Sequence, residues 1–198
     1  MHLEVGTILK GAYAQAGFCV EAARAGAFPF LEFDGLSPEQ LRNIVSASRK
    51  ADAGIGFAVR DSQELEAARA IAAGAVRRVL FTGAWSADAA LVSELRESGL
   101  EVWLEAASVA EGDRADALGP DRIVVKGNEA GGRVGEDTTL ILLQKLRRRV
   151  SAPLVAWGGI GMHTASACLV GGARGVMLDW QLSLCQESGL AAATRRKI

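Results

Sequence analysis

The sequence predicts a compact (β/α)8 barrel, in which eight parallel strands alternate with eight helices in one domain with short loops. Two observations support this fold class. Short, continuous apolar runs alternate with alanine- and leucine-rich amphipathic stretches, and continuous apolar runs are typical of parallel strands that are buried on both faces. The glycine-rich turns follow the sixth and seventh runs, whereas an open doubly wound sheet has such a turn after its first strand.

The apolar runs define the strands and the intervening stretches define the helices. We expect strands at Val5–Leu9, Phe28–Phe33, Gly54–Val59, Arg78–Thr82, Glu101–Ala106, Arg122–Lys126, Leu154–Trp157 and Gly175–Asp179. We expect helices at Ala14–Ala25, Pro38–Lys50, Ser62–Ala73, Ala87–Ser98, Val109–Leu118, Thr138–Arg149, His163–Val170 and Leu182–Arg195.

Capping residues agree with these bounds. Ser37 followed by Pro38 is a typical start of a helix, since serine caps the first turn and proline needs no hydrogen bond there. Glycines follow four of the expected helix ends, as helix C-caps do, at Gly26, Gly74, Gly99 and Gly119.

Length and composition narrow the class of protein. The chain has 198 residues, 49% of them hydrophobic, which suits one domain over residues 1–198 and lies near the lower size limit of a barrel. A net charge of −1 gives no indication of nucleic-acid or membrane partners. Met1–Lys10 lacks the apolar run of a signal peptide. The three cysteines and two histidines have no metal-site spacing, and we expect reduced thiols in a cytoplasmic protein.

The stretch Ile123–Gly132 carries the clearest signal of chemistry. An apolar strand ends in Lys126 and continues into a glycine-rich turn that contains Glu129. Active groups of barrels lie at the carboxyl ends of strands. Glu105 ends the neighbouring strand at a similar level, so a salt bridge between Glu105 and Lys126 that closes the barrel is an equally good explanation of this lysine.

A second glycine-rich turn, Ala156–Gly161, follows strand seven and leads into a helix at about His163. Such turns let backbone N–H groups approach a phosphate, and barrels often bind phosphate after strands seven and eight. The alternative is a plain tight turn. The next turn, Asp179-Trp180-Gln181, is bulky and acidic and would repel an anion. His163 is either a proton donor or an ordinary residue of the first helical turn.

The tryptophans fall into two groups. Trp103 lies in the middle of a strand, and we expect it in the core. Trp85, Trp157 and Trp180 lie at or just past strand ends, where they either line the site of a flat ligand or plug the barrel.

The stretches K-G-N-E-A-G-G-R-V-G at 126–135 and A-W-G-G-I at 156–160 resemble the nitronate monooxygenase (2-nitropropane dioxygenase) family, which includes FMN-dependent enoyl reductases of bacterial fatty-acid synthesis. The sequence of these stretches is most similar to a divergent branch found as N-terminal domains of multidomain polyketide and polyunsaturated-fatty-acid synthases. The resemblance implies FMN, with NAD(P)H as reductant, a small-molecule or carrier-bound acyl substrate and neighbouring synthase domains as partners. It implies that the flavin and its phosphate are held by Lys126, Gly131, Gly132, Gly158 and Gly159.

Two departures bear on the chemistry. Arg133 stands where the family has its catalytic histidine, and a permanently protonated arginine cannot be the base that deprotonates a nitroalkane. Asp179-Trp180-Gln181 replaces the family's glycine-threonine phosphate turn. Of the family's segment beyond strand eight, only Ser183–Ile198 remains. The final residues Arg195-Arg196-Lys197-Ile198 are compatible with a domain excised from a longer chain.

Three functions remain open. The leading hypothesis is an FMN-dependent oxidoreductase of the enoyl reductase kind, in which Lys126 and Glu129 tune the flavin and orient substrate and Arg133 holds a carbonyl or phosphate. The second is a degenerate barrel without cofactor that serves as a structural or docking domain of a synthase. The third is a Schiff-base lyase in which Lys126 acts with Glu105 or Glu129.

Overall fold

The computed structural model describes residues 3–9, 14–33, 36–72, 76–83, 85, 87–189 and 191–197. These residues form a closed barrel of eight parallel strands in sequential order. The barrel closes where the first strand pairs in parallel with the eighth, with Glu4 beside Gly175. The predicted (β/α)8 fold is therefore confirmed.

The strands are β1 Glu4–Leu9, β2 Ala27–Glu32, β3 Ile55–Val59, β4 Val76–Phe81, β5 Glu101–Ala106, β6 Arg122–Lys126, β7 Leu154–Trp157 and β8 Gly175–Leu178. The helices are α1 Ala16–Arg24, α2 Pro38–Lys50, α3 Ser62–Ala72, α4 Ala89–Glu97, α5 Val109–Asp116, α6 Thr139–Leu146, α7 Met162–Gly171 and α8 Ala192–Arg195. Most predicted bounds agree to within three residues; Ala73 and Gly74 lie outside the described residues.

The prediction of one helix over Leu182–Arg195 is wrong. A 3-10 helix spans Trp180–Leu184 and α8 begins only at Ala192. Ser188 separates them: it is buried, and its hydroxyl donates a 2.7 Å hydrogen bond to the carbonyl of Ser183. This bond folds the chain back and ends the helical run, which Gly189 would also disfavour.

The barrel interior is a small apolar core built from large and small side chains. Trp103 packs there against Phe30, with ring centroids 5.0 Å apart, and is 1% exposed, as predicted. Gly56 makes room for this packing, because a Cβ at that position would lie 2.6 Å from the Phe30 ring. A larger core lies between the barrel and the helices.

The cap predicted at the start of α2 is present. The backbone N–H of Gln40 donates to the Ser37 hydroxyl at 3.2 Å, and the Gln40 side chain accepts from the Ser37 N–H at 2.8 Å. Pro38 begins α2. Among the described residues, no helix is long and apolar enough to cross a lipid bilayer.

Candidate functional site

The carboxyl ends of the strands form a mouth with two neighbouring cavities, one on each side of the turn that follows β6. The first measures about 250 Å³ and the second about 390 Å³. Gly131 lines both. The first cavity is lined by Glu32, Phe33, Ala58, Arg60, Glu64, Thr82, Gly83, Lys126, Gly131, Gly132 and Arg133. The second is lined by Ile8, Glu129, Ala130, Gly131, Trp157, Asp179 and Trp180.

Lys126 and Glu105 form the buried charged pair that the sequence allowed. Lys126 Nζ lies 3.3 Å from Glu105 Oε2, and the two side chains are 6% and 0% exposed. Burial raises the pKa of Glu105, and the Lys126 ammonium, the Gly83 N–H and Arg133 offset this only in part. Ionised Glu105 is therefore costly, and Lys126 is its main compensation.

The Lys126 ammonium also lies over the indole of Trp157. Its Nζ is 4.2 Å from the ring centroid, which is a favourable cation–π distance. Lys126 reaches this position from the last residue of β6, and Trp157 is the last residue of β7 and pairs with it in register. The pair places a positive charge on an aromatic floor beside the first cavity.

Arg133 is turned away from the second cavity and tied to the opposite wall. Its guanidinium donates to both carboxylate oxygens of Glu111 at 2.8 and 2.9 Å and to the Gly83 carbonyl at 2.9 Å. It lies 3.8 Å from Glu105. The bonds to Glu111 raise the pKa of Arg133, so it remains a cation and cannot act as a base.

Glu129 caps a helix in this structure. One of its carboxylate oxygens accepts from the Thr139 N–H at 2.9 Å and lies 3.0 Å from the Thr139 hydroxyl. Negative charge at the first turn of α6 is favourable for the helix dipole. The sequence predicted flavin tuning and substrate orientation for Glu129; in the structure its carboxylate is engaged by Thr139.

Gly158 and Gly159 bring turn seven against turn six. A Cβ on Gly158 would lie 2.7 Å from the Thr139 hydroxyl and 3.0 Å from the Ala130 nitrogen, and φ at Gly158 is +121°. A Cβ on Gly159 would lie 3.4 Å from Glu129. Close packing therefore explains Gly158, and the left-handed backbone at φ +61° explains Gly159, without a phosphate.

The turn after β8 is bonded to the turn after β7. Asp179 accepts from the Trp157 indole N–H at 2.9 Å and from the Trp180 N–H at 2.7 Å. The Gln181 amide donates to the Ile160 carbonyl at 2.6 Å. Side chains of the protein thus bridge the two turns where barrels often hold a phosphate.

The mouth therefore fits a flavin ring better than a flavin phosphate. Trp180 is 60% exposed and offers flat aromatic surface at the mouth, whereas Ile8 and Trp157 line the second cavity with only 3% and 2% of their surface exposed. Gly131 has open space around it, and Gly132, at φ +79°, has only Lys126 Nζ near its Cβ position, at 3.7 Å. By contrast, the charged residues that line the second cavity are the carboxylates Glu129 and Asp179.

Sequence reasoning missed Thr139, and it left Trp85 open between lining a ligand site and plugging the barrel. Thr139 holds the turns together, since its hydroxyl lies within hydrogen-bond distance of Glu129, the Trp157 carbonyl and the Gly158 carbonyl. A threonine at a helix start is a signal of capping only, and its contacts with β7 arise from the barrel packing. Trp85 is a buried plug whose indole donates to the Glu105 carbonyl at 2.7 Å.

His163 is exposed in the first turn of α7, as an ordinary helix residue would be. The three cysteines, all among the described residues, form no disulfide, and Cys19 and Cys168 are buried in α1 and α7. Burial raises the pKa of the Cys19 thiol to about 12, which makes it unreactive.

Comparison with known proteins is consistent with this geometry. A family model described as nitronate monooxygenase matches residues 41–198. The chain is 33% identical over 100 residues to (3aS,4S,5R,7aS)-5-hydroxy-7a-methyl-1-oxo-octahydro-1H-indene-4-carboxyl-CoA dehydrogenase of Rhodococcus jostii, covering 50% of this chain and 28% of that protein. It is 32% identical over 124 residues to nitronate monooxygenase of Paraburkholderia phytofirmans, covering 57% of this chain and 33% of that protein.

Solved structures match over almost the whole chain. A FabK mutant from Thermotoga maritima superimposes with a TM-score of 0.80 at 25% identity, covering 98% of this chain and 68% of that one. Nitroalkane oxidase from Streptomyces ansochromogenes gives a TM-score of 0.85 at 21% identity, covering 98% and 70%. The matched region thus spans about a third of these curated relatives and about two thirds of these structures.

Proposed function

The chain belongs to the nitronate monooxygenase family, and from this premise we propose that it is a flavin-dependent oxidoreductase with the flavin ring at the barrel mouth. The observation that carries the proposal is the position of Lys126. Its ammonium is buried, paired with Glu105 and placed over Trp157, next to the open glycine turn. A buried cation beside a ligand-sized opening is typical of functional sites rather than of stability.

The residues of the mouth have distinct tasks in this proposal. Lys126 supplies positive charge that stabilises negative charge developing on the ring or on a substrate carbonyl. Glu105 holds the ammonium in place, and Gly131 and Gly132 let the backbone approach the ring closely. The flavin held there would supply the capacity for hydride transfer between a nicotinamide donor and the substrate.

The reaction proposed is reduction of an activated double bond and not oxidation of a nitronate. Arg133 takes the place of a histidine base and is held by Glu111 and Gly83. Hydride transfer to an enoyl thioester is assisted by a cation near the thioester carbonyl, a task that Lys126 can perform. The Rhodococcus jostii relative is named as a carboxyl-CoA dehydrogenase, which favours a thioester substrate. Carrier-bound acyl chains and neighbouring synthase domains are the proposed partners.

A reconstitution experiment tests the proposal. The purified protein is mixed with flavin, desalted and examined for the visible spectrum of bound flavin, and then mixed with NADH or NADPH under anaerobic conditions. We expect the nicotinamide to bleach the flavin and an enoyl-CoA to reoxidise it. Without nicotinamide, a nitroalkane or its nitronate should not bleach the oxidised flavin. Lys126→Met should slow reoxidation at least tenfold, whereas Lys145→Met, a half-exposed lysine paired with Asp137 on the barrel exterior, should not change it.

A protein that takes up no flavin would refute the proposal and favour a cofactor-free barrel with a docking role. The hydrogen bonds that close the turns after β7 and β8 are the observation that supports this second candidate. A Schiff-base lyase would instead show a borohydride-trapped adduct at Lys126. Pairing with Glu105 works against that chemistry, because Lys126 Nζ is buried and held 3.3 Å from the Glu105 carboxylate instead of facing a substrate carbonyl.

A further inference from the structure

We infer that the mouth of this barrel prefers an unphosphorylated flavin, riboflavin, over FMN, and that Asp179 sets this preference. The inference rests on the proposed flavin function and concerns the end of the site that would face a phosphate. It follows from the hydrogen bonds of Asp179 and Gln181 and from the charges that line the second cavity.

Asp179 behaves as a resident anion. Its two carboxylate oxygens accept from the Trp157 indole N–H at 2.9 Å and from the backbone N–H of Trp180 at 2.7 Å. A phosphate bound between these turns would need donors of the same kind. Here a carboxylate of the protein has already engaged them.

Gln181 fills the remaining gap between the turns. Its side-chain amide donates to the Ile160 carbonyl at 2.6 Å, and its side-chain oxygen accepts from the Asp179 N–H at 3.2 Å. The amide N–H of Asp179 is therefore engaged by the protein as well. An incoming phosphate would have to break this arrangement.

The charge of the second cavity points the same way. Glu129 and Asp179 are its charged lining residues, and Trp180 offers exposed aromatic surface, whereas Ile8 and Trp157 are 3% and 2% exposed. A neutral tricyclic ring with a polyol tail suits this lining. A phosphate carrying nearly two negative charges would be repelled by Asp179, and at close range in water this repulsion is worth about tenfold in affinity.

To test this, the whole chain is titrated at low ionic strength with riboflavin and, separately, with FMN. Binding is measured by quenching of flavin fluorescence and by equilibrium dialysis. We expect riboflavin to bind about tenfold more tightly. FMN binding as tightly as riboflavin, or more tightly, would overturn this inference and leave the proposed function standing. Binding of neither flavin would overturn the proposed function itself.

A matched pair of variants assigns the preference to its residue. Asp179→Asn removes the charge and keeps the shape, and it should bring the riboflavin-to-FMN affinity ratio close to one. Asp52→Asn makes the same chemical change at an exposed side chain (95% exposed) at the other end of the barrel and should leave the ratio unchanged. An unchanged ratio in Asp179→Asn would show that Asp179 does not set it.

Ionic strength gives an independent measurement on the unmodified chain, should Asp179→Asn fail to fold. Added salt screens the repulsion between Asp179 and a phosphate, so raising salt from about 20 mM to about 500 mM should narrow the ratio severalfold. If the riboflavin-to-FMN affinity ratio does not change with salt, repulsion by the Asp179 charge is not the origin of the preference and the inference is overturned.

Discussion

The two ends of the barrel each hold a glutamate among cations, but they do so differently. At the amino-terminal end, Glu4 accepts two hydrogen bonds from Arg122 at 3.0 and 2.9 Å and a third from Arg174 at 3.1 Å. At the mouth, Glu105 has one contact with Lys126 at 3.3 Å, one from the Gly83 N–H at 3.1 Å and a distant Arg133 at 3.8 Å.

The ionisation of the two carboxyls shows what this difference means. Burial opposes ionisation of Glu4, but the bonds from Arg122 and Arg174 outweigh it and lower the pKa of Glu4. Burial dominates at Glu105, and its pKa is raised. The cluster of Glu4 with Arg122 and Arg174 at the amino-terminal end thus stabilises the fold. The Glu105–Lys126 pair at the mouth instead keeps a charge that is costly to bury at the place where a ligand would bind.

The largest loss of stability should come from breaking the Glu105–Lys126 pair at the mouth. Lys126→Met leaves Glu105 buried without its main compensation, and we expect a loss of about 3–5 kcal/mol in the free energy of unfolding at neutral pH. The loss should shrink as pH falls, because the raised pKa of Glu105 lets it take up a proton and shed its charge. Urea denaturation between pH 5 and 8 measures both effects.

The double variant Lys126→Met/Glu105→Gln controls for the lost lysine contacts and should recover much of the stability. Lys145→Met, on the exposed face of α6, should cost less than about 1 kcal/mol. If Lys126→Met were as stable as Lys145→Met, leaving Glu105 buried without Lys126 would have no measurable cost, and the prediction would be wrong.

The Glu4 cluster at the amino-terminal end should respond with a smaller loss of stability, which also shrinks as pH falls. Because the folded-state pKa of Glu4 is lowered, its ionised form contributes stability above its unfolded pKa, and that contribution is lost as pH falls through the folded value. Glu4→Gln should cost about 1–2 kcal/mol at pH 7, and the difference from the parent chain should vanish at strongly acidic pH. A cost that persists unchanged below about pH 3 would contradict this role for the carboxylate.

Features with local signals could be predicted from the sequence, whereas features that depend on contacts between distant residues could not. The eight strands and most helices follow from apolar runs and caps, which are local signals, and so the barrel could be predicted. The Glu105–Lys126 pair was also predictable, since neighbouring strand ends meet at one level. The break before α8 was not, because the hydrogen bond from Ser188 to Ser183 depends on both residues being folded against the barrel.

At the mouth, the sequence identified which residues lie there but not which way they are bonded. Glu129 lies in the predicted turn, yet it caps α6 through Thr139. Arg133 lies just beyond it, yet it crosses to Glu111. Spacing along a chain gives the strand end that a side chain occupies, whereas its partners are set by neighbours that are distant in sequence.

A substitution in the middle of the barrel interior, between the two ends, should change the free energy of unfolding least. The indole nitrogen of Trp103 is buried and has no hydrogen-bond partner among the described residues. Trp103→Phe creates a small cavity that costs roughly 1 kcal/mol, but it also removes a buried, unsatisfied N–H, which returns a similar amount. We expect a net change within about 1 kcal/mol by urea denaturation, additive with Lys126→Met and with Glu4→Gln. Strong non-additivity with either variant would show that the interior layer couples the ends, and the division into a stabilising end and a functional end would then fail.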